Sequence, residues 1–280
     1  MIRALIASLA IFLATSVVGL EVSAAQAREA TAPGEAQPSP YYDAEAGRLL
    51  LEMANRERAK AGLPALQADD GLTKAALAHA AAMAAQQELS HQLSGEPSLV
   101  HRLAANSKTH LDQSGENVAF ANSVDQAQDS LMHSPPHRAN LLNAGYNVAG
   151  FSVVRRGSLL YVTQDFGHSL PSRSDAEAEV LVGRSVDRLR AQSHLPGLQR
   201  MDGKEAASTA CAMAEADSLR TPGPKARAVL RYTTSEPQVL PENAAGVIKD
   251  RSLGAFAAGS CYARTRAYPT GVYWVALFFY

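Results

Sequence analysis

Net charge is almost absent from this 280-residue chain, where 26 lysines and arginines stand against 27 aspartates and glutamates. That balance leaves no basic stripe for a nucleic-acid backbone and no polybasic patch for an anionic membrane surface. Cysteine is scarce: Cys211 and Cys261 are the only two, both in the second half. No cysteine follows the apolar N-terminal run, so a lipid anchor there is unsupported. Beyond that run, no segment is long and apolar enough to cross a bilayer, so no span is expected in the mature chain. Two common catalytic signatures are also missing, the His-Glu-x-x-His helix and the Gly-x-Ser-x-Gly elbow.

What is present begins with Met1-Ile2-Arg3, an uncharged apolar run from Ala4 to Leu20, and the small-residue pattern Ala25-Gln26-Ala27. A short basic start, an apolar stretch and a small-residue cleavage site read as a secretory signal peptide over residues 1–27. The alternative is an uncleaved anchor, since the run is near the lower limit for a membrane span. Residues 28–41 hold little to bury and contain Pro33, Pro38 and Pro40, which reads as a flexible leader. The remaining stretch of about 240 residues suits two small domains.

Those two domains read as copies of one plan. Arg56, Arg58, Ala59, Leu63, Pro64 and Leu66 recur as Arg188, Arg190, Ala191, Leu195, Pro196 and Leu198, at a constant offset of 132 residues. Gly71, Ala75 and Ala78 recur as Gly203, Ala207 and Ala210 at the same offset. Ser123/Gln126 and Ser235/Gln238 each read as a capping box that starts a helix. Apolar positions predict a helix over 44–61 and a second one capped by Asp69 or Asp70. Residues 89–115 read as loop apart from a turn of helix near Leu99–Ala104. A helix from Val124 ends before Pro135-Pro136. Asn147–Val154 and Leu159–Phe166 read as a hairpin across Arg155-Arg156-Gly157. The pattern is α+β.

Four motifs then appear in order: Ser90-His91, Ser114-Gly-Glu-Asn-Val-Ala119, Ser134-Pro-Pro-His-Arg-Ala-Asn-Leu-Leu142 and Tyr161-Val-Thr-Gln-Asp-Phe166. This layout resembles the bacterial branch of the CAP superfamily, the cysteine-rich secretory, antigen-five and pathogenesis-related proteins. The resemblance implies an α-β-α three-layer sandwich: a CAP-like domain over 42–170 and a degenerate repeat over 171–280. It also assigns His91, Glu116 and His137 to the family's central cavity. Two imidazoles and a carboxylate form a three-ligand set suited to Zn²⁺. The fourth member, a glutamate on the helix before the last histidine, is missing, because that region reads Leu131-Met-His-Ser134. Glu96 and His133 are candidate substitutes, but neither matches the motif.

A plainer reading gives Glu116 to a turn and lets His137 cap a short helix begun by Pro136. Of the other histidines, His79 reads as a satisfied helix residue, and His101, His110, His168 and His194 as solvated loop positions. Arg138 and Asn140 read as structural, and Gln164 as facing either layer. In the repeat the site positions fall on Gly223, near Ala228 and near Gly246, none of which can ligate or transfer a proton. The sandwich would also lay the helix carrying Cys211 on the strand carrying Cys261, close enough for a disulfide if the chain is exported. Two buried free thiols are the alternative.

Taken together, these residues point to a secreted or periplasmic protein that is not an enzyme. It would bind a small amphiphile, a cell-wall fragment or another protein. A metal-dependent hydrolase and a purely structural envelope protein are the competing expectations.

Overall fold

The computed structural model describes residues 39–221 and 225–280. The signal peptide expected at 1–27, most of the leader at 28–41, and Gly223 lie outside the described residues. The first half runs β1 (Tyr41–Tyr42), α1 (Ala44–Lys60), β2 (Gln67–Ala68), α2 (Asp70–Gln86), α3 (Leu99–Asn106) and β3 (His110–Ala121). It continues with α4 (Val124–His133), α5 (Pro135–Leu141), β4 (Val148–Arg156) and β5 (Leu159–Leu170). Local chemistry sets these bounds. Asp43 and Asp69 accept the amides of Ala46 and Leu72, so each caps a helix start. Ser123 accepts the Gln126 amide, but the Gln126 side chain accepts from Asn122 instead, so that capping box is half formed. Pro135 and Pro136 sit in the first turn of α5, where a missing N–H costs nothing.

The sheet order is β1-β4-β5-β3, with β2 parallel beside β4. One face carries Phe151, Val153, Val162 and Phe166, packed with Leu50 and Ala54 of α1, Leu131 of α4 and Leu141 of α5. The other face carries Val118, Val154 and Tyr161 against Ala80 and Met83 of α2. Helix, sheet and helix thus form three layers of mixed α and β structure. Gly150 is needed for this packing, because a Cβ there would lie 2.0 Å from the Thr73 amide nitrogen of α2.

The second half comprises α6 (Asp175–Gln192), β6 (Gln199–Arg200), α7 (Lys204–Glu215), β7 (Ala228–Thr234), α8 (Ala244–Ile248), β8 (Ala255–Ala263) and β9 (Val272–Phe279). Its strand order is β6-β8-β9-β7, again with a short parallel strand beside the first strand of a hairpin. Helices α6 and α8 cover one face, and α7 covers the other. A Cβ at Gly259 would lie 2.0 Å from the Ala207 amide nitrogen of α7, just as one at Gly150 would meet Thr73. The helix start expected at Ser235/Gln238 is not formed; Gln238 bonds to Glu236, and the next helix begins at Ala244. Cys211 of α7 and Cys261 of β8 form a disulfide with their Cα atoms 5.1 Å apart, tying a helix layer to the sheet.

The halves meet at His110, which is buried rather than solvated as expected, with its ring against the edges of Tyr262 and Tyr273. Arg264 from the β8–β9 turn donates to the carbonyls of Ala104, Ser107 and Thr109. Among the described residues, no helix is long and apolar enough to cross a membrane.

Candidate functional site

Glu116 lies within a 12-residue strand, not a turn. Strand alternation points Asn117 towards α5 and Glu116 towards α2 and α3. Because β3 is the last strand of its sheet, residues from both helix layers can meet around its edge. His91, in the segment after α2, comes from one side, and His137, in α5, from the other. Their ring centroids are 6.4 Å apart. The His91 Nδ1 lies 3.0 Å from Glu116 Oε1, so the imidazole donates to the carboxylate and leaves Nε2 facing outward. The three residues expected together therefore do share one neighbourhood.

Around Glu116 the structure adds residues that sequence reasoning left out of the site. Arg102 of α3, buried, donates from one terminal nitrogen to Glu116 Oε2. Its other terminal nitrogen donates to Pro97 O at 3.1 Å and His91 O at 3.3 Å, and lies 3.5 Å from Glu96 Oε2. His79, fully buried on α2, places Nδ1 2.8 Å from Glu96 Oε1 and Nε2 2.8 Å from the carbonyl of Ser90. A carbonyl only accepts, so His79 Nε2 carries a proton. The reading of His79 as a satisfied helix residue holds. Asp165 of β5 pairs with Glu116 across the β-ladder and is fully buried. Burial, and then the negative charge of Glu116, hold its carboxyl well above the usual carboxylate range.

The remaining residues frame the site. Asn140 donates to Glu116 O and Asn117 Oδ1, while Asn117 donates to His137 O and Gln164 Oε1. Gln164 thus belongs to the α5 side. Arg138 is exposed. His133 turns back to the Asp129 carbonyl, away from any substitute role. His101 is exposed on α3, and His168 pairs with Asp112 at the end of β5. Burial first, and then His91, depress the pKa of His137, which favours the neutral ring. A polar cleft of ≈ 650 Å³ elsewhere, bounded by Gly71, Lys108, His110 and Ser172, shares no residue with this group.

A resident Zn²⁺ would need three or four donors at about 2.0–2.3 Å from one point. Among the described residues, no three His, Cys, Asp or Glu groups are so placed. The physical reason is Arg102: a guanidinium already lies on the Glu116 carboxylate, and the His91 nitrogen nearest to it is bonded to the same group. Two imidazoles on a tetrahedral metal also bring their ring centroids to roughly 5 Å, against 6.4 Å here. The set His91, Glu116 and His137 is not a ready-made metal cage. In the second half, β6 to β9 carry no histidine or carboxylate at all.

Residues 51–166 match the model of the cysteine-rich secretory protein (CAP) family. The chain is 35% identical over 123 residues to the uncharacterized membrane protein YlbC of Bacillus subtilis (strain 168), across 42% of this chain and 33% of that protein. It is 32% identical over 123 residues to the uncharacterized protein YkwD of the same organism, across 42% and 46%. The chain thus spans less than half the length of each of these two relatives. Among solved structures it is similar to an extracellular protein containing an SCP domain from Bacillus anthracis str. Ames, with 25% identity, 45% and 41% coverage and a TM-score of 0.42.

Proposed function

Residues 51–166 of this chain are a CAP domain, and from that premise we propose that the chain works outside the cytoplasm as a non-catalytic binding protein. Its ligand would rest against His91 and His137. The observation that carries this reading is the use of Glu116: its carboxylate is held by buried Arg102 on one oxygen and by His91 on the other. A carboxylate so held is poorly placed to deprotonate water or to bind a metal. What the site offers a visitor is the outer nitrogen of His91 and the neutral ring of His137, a hydrogen-bonding edge beside apolar structure. A small amphiphile or a cell-wall fragment carrying hydroxyl or amide groups suits that edge. The signal-peptide pattern at 1–27 supports an exported location.

The second half, over 171–280, is on this reading a repeat that kept the scaffold and gave up the site. Arg58 Nε donates to Pro64 O at 2.9 Å, and Arg190 Nε to Pro196 O at 2.9 Å. Arg58 also binds the carbonyls of Leu141 and Asn143, as Arg190 binds those of Ile248 and Asp250. The repeated arginine repeats its partners, which favours duplication over chance.

A metal-dependent hydrolase is the second reading, because a carboxylate-oriented imidazole is also how general bases and metal ligands are held. The two separate in one experiment on the mature chain. Titration with muramyl dipeptide and with monomeric dodecyl maltoside, followed by the imidazole resonances of His91 and His137, is expected to give saturable shifts with one probe, lost in His137→Ala. Zn²⁺-dependent cleavage of casein, abolished by the same substitution, would replace the binding reading with the hydrolase. Silence with both probes counts against binding.

A further inference from the structure

We propose that the Cys211–Cys261 disulfide is a modification site, open to exchange with a small acidic thiol that then draws Arg264 from the junction between the halves. The inference does not depend on what the His91–His137 site binds.

The bridge is not shut inside the core. Cys211 and Cys261 are both half-buried, and both border an open cleft of ≈ 550 Å³ whose walls also include Glu215, Asp217, Arg264 and Arg266. That volume lies within the range of small-molecule sites, about 300–1,000 Å³. A thiolate attacks a disulfide only where a sulfur can be reached, so exposure separates a labile bridge from an inert one. Asp217 is already engaged, accepting from the Thr265 hydroxyl and the Ala267 amide. Glu215 opposes an anion from the exposed end of α7. Arg264 and Arg266, from the β8–β9 turn, remain to meet the carboxylates of an acidic thiol.

The exchange needs no reactant beyond the thiol. The incoming thiolate bonds to one cysteine sulfur, and the other leaves with the electron pair of the broken S–S bond and takes up a proton. One disulfide is consumed and one mixed disulfide forms, with no net oxidation. Arg264 gives this a consequence. It lies just beyond Cys261 in the chain and donates to the carbonyls of Ala104, Ser107 and Thr109 in the first half. A carboxylate is a stronger acceptor for a guanidinium than a neutral carbonyl, so the bound thiol competes with the end of α3 for Arg264. The β8–β9 turn itself stays in place, because Asp217 still ties it to the end of α7. A purely structural bridge predicts something different: attack only through global unfolding, at a rate that climbs with denaturant.

The test is incubation of the mature chain with reduced glutathione at pH 8, quenched with N-ethylmaleimide and read by mass spectrometry. One glutathione on one cysteine and one maleimide on the other are expected, formed at a rate that urea below the unfolding transition leaves unchanged. In this adduct, amide hydrogen exchange over 104–110 is expected to be roughly tenfold faster than in the parent, since those carbonyls lose a charged donor, with circular dichroism retained. The matching adduct with cysteamine, a thiol without a carboxylate, is expected to keep the parent's protection there. Absence of the glutathione adduct overturns the proposal, and so does an adduct whose rate rises with urea in step with unfolding. Unchanged protection over 104–110, equal loosening by cysteamine, or loss of circular dichroism in the adducts overturns it as well.

Discussion

A carboxyl group shut away from water beside a second carboxyl holds its proton, and at Asp165 this has a consequence for stability. In the unfolded chain an aspartate ionises near pH 3.9, whereas in the fold burial and Glu116 keep Asp165 protonated to much higher pH. Ionisation above about pH 4 therefore favours the unfolded chain, and the penalty grows until the native group also titrates. Asp165→Asn keeps the shape and removes the proton. Its urea midpoint is expected to match the parent's near pH 4 and to exceed it increasingly from pH 5 to pH 8. Parallel curves for the two proteins would mean that Asp165 is ionised in the fold. Asp165 also marks a limit of reading residues singly. It sits in the motif Tyr161–Phe166, which was visible in the sequence, but its role comes from standing opposite Glu116 on another strand.

Among the elements, the two arginine anchors do the same work in different halves. Arg58 of α1, fully buried, donates to four carbonyls, those of Pro64, Leu141, Asn143 and Tyr146, and so pins the α5–β4 connection to the helix. Arg190 does likewise for the α8–β8 connection through Pro196, Ile248 and Asp250. Truncation leaves several buried acceptors unpaired, each costing about 1–3 kcal/mol when water cannot reach it. Arg58→Ala and Arg190→Ala are each expected to lose about 3 kcal/mol or more by chemical denaturation. A loss below about 1 kcal/mol at either would show that its carbonyls find water. The recurrence of these arginines was legible in the sequence at a constant offset, but their work was not, since only Pro64 and Pro196 lie close by and the other carbonyls are about 60 to 90 positions away. Strand β3 was not legible. His110–Ala121 carries Asp112, Gln113, Ser114 and Gly115, because an edge strand lining a polar site need not alternate cleanly. The turn of helix expected near Leu99–Ala104 is α3 and carries Arg102, but nothing local tied that arginine to Glu116 on another element. At Ser235/Gln238 the local capping signal was present, but Pro237 and the turn to Glu236 prevailed.

Across the whole molecule, the junction between the halves depends on one uncharged ring. His110 is 1% exposed, with Tyr262 at 5.1 Å and Tyr273 at 5.7 Å between ring centroids, and neither of its nitrogens has a partner. The sequence placed it in a solvated loop because the residues that bury it lie more than 150 positions away. Burial depresses its pKa below the ordinary 6.5; Asp112 opposes the shift and Arg264 adds to it. Since the native ring resists the proton and the unfolded one accepts it, stability contributed by His110 is present above about pH 6.5 and is lost as pH falls towards the native pKa. Each unit of difference corresponds to about 1.4 kcal/mol. His110→Phe fills the tyrosine slot without a titrating group. Between pH 8 and pH 5 its urea midpoint is expected to fall less than the parent's, while Arg264→Ala, which frees the carbonyls of Ala104, Ser107 and Thr109, lowers the midpoint at every pH. Other groups titrate over the same range in both proteins, so the quantity that decides is the difference between the two curves. If that difference is flat from pH 8 to pH 5, His110 is not what makes the junction sensitive to acid.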